Sequence, residues 1–191
     1  MTPAPAATSL TPDELAQAMQ LIEQTRDYLL GSICLLTPAQ WSARPVPDRW
    51  SIAQIVEHVL AVQGRVVGML GEHLAAAAAP PAGQDAAVVD ALILGGFPNR
   101  LRKFSAPPAV HPSGEIDRAD AEERFLANCA ALADVLISVP GLRDHALEAA
   151  PLKAISNGAY TFMDGYQWVL AAALHTERHT MQILEVIAAS R

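Results

Sequence analysis

Two histidines four residues apart, His175 and His179, are the side chains in this sequence best placed to do chemistry. On a helix that spacing sets both imidazoles on one face, one turn apart, with Cβ atoms ~5–6 Å apart. Neutral rings so placed can converge on one cation at ~2.0–2.1 Å. At ~100° per residue, Trp168, His175, His179, Gln182 and Val186 share one narrow sector, and Arg178 and Glu185 fall on another. The pair is therefore expected to face inward beside apolar groups, where an unsatisfied imidazole is expensive. A lone pair of this kind is more often two hydrogen-bonded or surface histidines than a metal site. It also departs from the zinc-protease pattern. The residue after His175 is Thr176, and Glu177 points roughly 160° away from both rings at ~100° per residue.

A third histidine, His58, lies seven residues after Ser51, on the edge of an apolar stripe near Ile55 and Val62. In a bundle, one ligand from this helix and two from the last could complete a three-histidine set. The plain alternative is a boundary histidine beside an exposed Glu57. Three neutral imidazoles leave coordination positions open, the pattern of a catalytic rather than a closed structural site. A cation there would acidify a bound water or thiol, or polarise a carbonyl. No carboxylate is assigned as an accompanying base. Gln182, one turn after His179, is placed either to orient a ligand by hydrogen bonding or simply to pack.

The other candidates are weaker. Trp41, Trp50 and Trp168 read as core or pocket walls, with Trp168 in the histidine sector. His73 ends a helix, where a cation suits the dipole, and His111 and His145 read as surface groups. Arg100, Arg102 and Lys103 form a compact basic cluster: a solvated loop, or an anion contact at the mouth of the site.

The elements that must position these residues are helical. Thr11-Pro12-Asp13-Glu14 has the form of a capping box with proline at the first helical position, and the helix it opens should end near Leu36, before a turn at Thr37-Pro38. Pro45 and Pro47 keep the next stretch out of a helix. Ser51 then caps a second helix to about His73, with Ile52, Ile55, Val56, Val59, Val62, Val66 and Leu70 on its buried face. A long connection from 75 to 116, interrupted by prolines, holds one short helix over Asp85–Leu94 closed by Gly95-Gly96. A third long helix runs from about Asp117 to Val139 with Phe125, Leu132, Val135, Leu136 and Val139 inward, and the last from about Thr161 to Ala189. No alternating strand pattern and no internal repeat is apparent. The expectation is an all-α four-helix bundle: a flexible lead-in over 1–10, one domain over 11–191, and a long crossover between the second and third long helices.

Composition agrees. The chain has 191 residues, 51% hydrophobic and only 17% charged, too apolar for disorder. Its 36 alanines favour helices. A net charge of −7 argues against a nucleic-acid-binding module. The apolar runs are far short of the ~20 residues that span a bilayer, and the N-terminus lacks a secretory pattern. Cys34 and Cys129 exclude a disulfide framework and read as core thiols, so a cytoplasmic setting is expected.

Trp50-Ser51, then His58, then His175-x-x-x-His179-x-x-Gln182-Ile183 near the C-terminus resembles the DinB/YfiT superfamily in order and spacing over nearly the whole chain. The resemblance implies an up-down-down-up four-helix bundle with one divalent metal ion, commonly nickel or zinc. By position its ligands would be His58, His175 and His179. It also implies a homodimer and a small-molecule substrate. Some relatives are transferases or isomerases that use a low-molecular-weight thiol such as mycothiol or bacillithiol, and many have no established activity. The leading expectation is a metal-dependent enzyme of that kind, with metal-assisted hydrolysis as a second version. A non-catalytic metal- or ligand-binding bundle acting through protein partners is the competing class.

Overall fold

A computed structural model describes residues 9–44, 49–101 and 106–190. Seven helices are seen among them: α1 (Pro12–Ile33), α2 (Pro38–Ser42), α3 (Ile52–Glu72), α4 (Ala86–Gly96), α5 (Arg118–Ser138), α6 (Ala150–Ile155) and α7 (Gly165–Ala189). The fold is all-α apart from two three-residue strands. The long helices α1, α3, α5 and α7 carry the core: α1 packs on α7 and α5, and α3 packs on the same two. Pro45 and Pro47 lie outside the described residues.

Local chemistry sets the helix starts. Thr11 and Glu14 form the expected box, with Thr11 N–H donating to the Glu14 carboxylate at 2.7 Å and Glu14 N–H to Thr11 Oγ1 at 3.2 Å. Ser51 and Gln54 do the same for α3 at 3.1 and 3.3 Å. Asp117 caps α5 through Asp120 N–H at 3.0 Å. Ile22, Leu29 and Ile33 of α1, Ile52, Ile55, Val56, Val59, Val66 and Leu70 of α3, and Phe125, Leu132, Val135 and Leu136 of α5 are buried as their periodicity requires. Leu15, Met19, Val62 and Val139 sit half-buried at the stripe edges.

Several boundaries differ from the sequence reading, each for a tertiary reason. α1 stops at Ile33 rather than near Leu36 because Arg118 takes the carbonyls of Ile33, Cys34 and Leu36 at 3.2, 2.6 and 3.3 Å. Thr37-Pro38 opens the short helix α2 instead of a turn, because Thr37 and Gln40 cap each other. Its Trp41 is buried and donates to the Ile116 carbonyl at 2.9 Å. Gly95 and Gly96 lie inside α4 rather than closing it. Any Cβ at Gly96 would meet Ile155 Cδ1 at 2.9 Å, so the glycine serves close packing. Cys34 is exposed, since its helix has already ended, and only Cys129 is a core thiol.

The last helix begins at Gly165, not near Thr161. Residues Phe162–Asp164 instead pair antiparallel with Ala146–Glu148, in the register Ala146↔Asp164, Leu147↔Met163, Glu148↔Phe162. Asp164 then caps α7 through Gln167 N–H at 2.8 Å. Gly165 is required here, because a Cβ would come within 2.6 Å of Leu142 Cδ2 and 2.7 Å of Leu74 Cδ2. Arg143 ties this corner together. Its guanidinium is 2.7 Å from Glu14 of α1, 2.7 Å from Asp90 of α4 and 2.9 Å from Asp164, and lies 4.1 Å above the Tyr166 ring.

Candidate metal centre

α3 and α7 pack face to face and bring His58, His175 and His179 together; one ligand nitrogen from each lies within 4.8 Å of the others. Ring centroids are 5.1 Å apart for His58 and His175, 4.9 Å for His58 and His179, and 4.3 Å for His175 and His179. His58 and His179 are buried and His175 is half-buried, with its Nδ1 out of contact with solvent.

Two of the three rings have their proton position fixed by an outer partner. His58 Nδ1 is 2.9 Å from the Val110 carbonyl, which can only accept, so His58 carries its proton on Nδ1 and leaves Nε2 bare. His179 Nδ1 is 2.9 Å from Gln182 Oε1, which accepts, and with the amide oxygen turned to the ring its Nε2 is left bare. Such outer hydrogen bonds are what orient ligating histidines. His175 faces His58 Nε2 to Nε2 at 3.2 Å, and its own buried Nδ1 has no partner among the described residues.

This donor set fits a cation. Two nitrogens bound at ~2.0–2.1 Å to a tetrahedral centre stand roughly 3.3–3.4 Å apart, close to the 3.2 Å between His58 and His175. Without one, His175 must place its proton on Nε2 to donate to His58, which strands Nδ1 as a buried acceptor.

All three imidazoles are held neutral. Burial lowers His175 well below the ordinary histidine value, with repulsion from His179 and His58 adding to it. Burial, then His58 and Arg178, pushes His179 down to about 3. His58 is lowered by burial, and its bond to Val110 only partly offsets this. Neutral imidazole is the form that ligates a metal.

The sequence pattern singled out the three histidines, Gln182, Trp50 and Arg100 but not the contacts that the groups around the cluster make. Val110 sits in a 3-10 turn (Pro108–Val110) of the crossover, and its use of a backbone carbonyl leaves no trace in residue type. Glu57 is not an exposed bystander: it is half-buried and accepts from Gly114 N–H at 2.6 Å and Ser113 Oγ at 3.0 Å, pinning the crossover beside His58. Trp50, with its ring 5.0 Å from that of His58, is the tryptophan against the cluster. Trp168 packs half-buried on the core, and its indole Nε1 is buried with no partner among the described residues. Arg100 is neither free in solvent nor an open anion contact; it pairs with Glu185 at 2.6 Å and donates to Gln182 Oε1 at 3.4 Å. Arg102 and Lys103 lie outside the described residues. Arg178, placed by its helical angle off the histidine face, is also buried and donates to the Asn99 carbonyl. His73 follows the last residue of α3 and is exposed; His111 is exposed as expected, but His145 is half-buried, with Nδ1 2.7 Å from the Ala77 carbonyl.

No helix among the described residues is long and apolar enough to cross a membrane. Comparison with known proteins returned no match among curated proteins or solved structures. A family model described as the DinB superfamily does match, over residues 21–183, a span that includes all three histidines and the helices that carry them. The chain belongs to the DinB superfamily.

Proposed function

We propose that this protein is a divalent-metal-dependent enzyme whose ion, nickel or zinc, is held by His58, His175 and His179. The observation that carries the reading is the pair of acceptor-only partners, Val110 O and Gln182 Oε1, that bare Nε2 on two of three clustered rings. A cation bound there supplies Lewis acidity able to lower the pKa of a thiol or water. The chain's own residues do the rest: the three imidazoles stay neutral through burial, and Trp50 shields the His58 ring. The reaction proposed is a transferase or isomerase step on a small-molecule substrate that uses a low-molecular-weight thiol, with metal-assisted hydrolysis as the second enzymatic version.

With this reading go an up-down-down-up arrangement of α1, α3, α5 and α7, a cytoplasmic location and a homodimer. Met181 and Leu184 on α7, 38% and 39% exposed, are the apolar groups offered for the dimer contact. A non-catalytic metal-holding role acting through protein partners is the other reading. What favours it is that Glu57 and Glu185 are committed to the Gly114–Ser113 turn and to Arg100, and that the helical angle of Glu177 turns it away from both α7 histidines.

Elemental analysis and zinc or nickel titration of chelator-treated protein test the metal. One divalent ion per chain in the wild type, lost in His179→Ala, is the expected result. Tight binding that survives His179→Ala would place the ion elsewhere. Light scattering that finds only a 20.3 kDa species would remove the dimer.

A further inference from the structure

We propose that Arg100 is a positioning residue of the metal centre: gripped by Glu185, it fixes the Gln182 amide so that His179 keeps its proton on Nδ1 and its Nε2 free to ligate. The inference rests on the metal reading above. A glutamine amide has an accepting edge and a donating edge. With the NH2 edge toward His179, Nδ1 would have to accept, the ring proton would move to Nε2, and that nitrogen could not bind a cation. Gln182 alone therefore permits either state of the ring.

Arg100 removes the choice. A guanidinium has donors only, so the Gln182 atom that faces both Arg100 Nη1, at 3.4 Å, and His179 Nδ1, at 2.9 Å, must be oxygen. Glu185 fixes the guanidinium in turn, accepting from Nε at 3.2 Å and Nη2 at 2.6 Å, which leaves Nη1 turned to Gln182. Gln182 and Glu185 are three residues apart on α7, so one guanidinium reaches both across a single turn. The chain Glu185–Arg100–Gln182–His179 runs from the surface to the cluster. With Val110 on the other side, the crossover sets the proton on two of the three rings.

Charge alone would have the opposite consequence. A guanidinium near a divalent cation repels it, so if Arg100 acted only through its charge, removing it would tighten metal binding. A positioning role predicts weaker binding. The sign of the change separates the two.

The experiment is Zn2+ affinity, measured by competition with a chromophoric chelator, on wild type, Arg100→Met, Arg100→Lys, Gln182→Glu and the Arg100→Met/Gln182→Glu double variant. Arg100→Met should weaken Zn2+ binding roughly 10-fold, the low end for losing an outer partner of a histidine ligand, with the melting temperature of the metal-free protein little changed. Lysine also offers only donors, so Arg100→Lys should recover most of the loss. In the Gln182→Glu background both side-chain oxygens accept, so Arg100→Met should then weaken binding by less than about twofold. Zn2+ binding by Arg100→Met as tight as wild type or tighter, or the same loss in both backgrounds, overturns the proposal and leaves the three-histidine site standing. Binding of neither Zn2+ nor Ni2+ by the wild type overturns both.

Discussion

Acidification should destabilise the metal-free protein, and the structure says by how much and through which groups. His179 is depressed from 6.5 to about 3, and His175 lies well below 6.5. Between those values the unfolded chain binds protons that the native state refuses. Stability carried by these rings is therefore complete above about pH 6.5 and is lost as the pH falls. At about pH 5.5 an unfolded imidazole gains RT ln(1 + 10), about 1.4 kcal/mol, that the folded ring does not. His175, and His58 beside it, act in the same direction between about pH 7.5 and 5.5. Asp164 works in the opposite direction. Burial raises its carboxyl to about 6 despite the nearby Arg143, so proton uptake there favours the native state as the pH falls. That contribution is common to wild type and His179→Gln, so the difference between them isolates the imidazole. Urea unfolding of both proteins in chelator, at the two pH values, should show His179→Gln losing about 1 kcal/mol less than wild type. Equal losses would mean that the ring titrates normally and is not buried neutral.

Metal at 100 times its Kd should raise native stability by about 2.7 kcal/mol near neutral pH, and His179→Ala should lose most of this rise while staying helical by circular dichroism. Arg143→Met leaves three carboxylates around a 13%-exposed position without their cation, and should cost about 3 kcal/mol in urea unfolding. Gly165→Ala should destabilise by about 1–3 kcal/mol; a neutral or stabilising result would show that Leu142 and Leu74 yield freely. Glu57→Ala should speed hydrogen exchange at the Gly114 amide at least ~10-fold, because a charge-assisted bond of 2.6 Å is lost.

Helix type, the starts of α1, α3 and α5, and the shared face of His175 and His179 followed from the sequence because each depends on groups close together in the chain, whereas His58 entered through the order of its motif. Capping at Thr11, Ser51 and Asp117 is settled within three residues. The apolar stripes of α1, α3 and α5 report which face must leave water wherever the partner helix comes from. The His175–His179 spacing fixes a shared face for the same reason. Everything decided by distant residues was hidden. Arg118 ends α1 from across the chain, Ile155 packs against Gly96 at the end of α4, and pairing with Ala146–Glu148 keeps Phe162–Asp164 out of α7. The proton on His58 depends on a carbonyl 52 residues away, and that on His179 on an arginine held by a glutamate 85 residues from it. Backbone carbonyls carry no signature in the sequence, and a charged side chain shows nothing of which partner it will meet. His175 and His179 were readable as one face because a helix repeats every 3.6 residues; the outer hydrogen bond on His58, and the Arg100 contact behind the one on His179, are made only when the crossover folds back over the cluster.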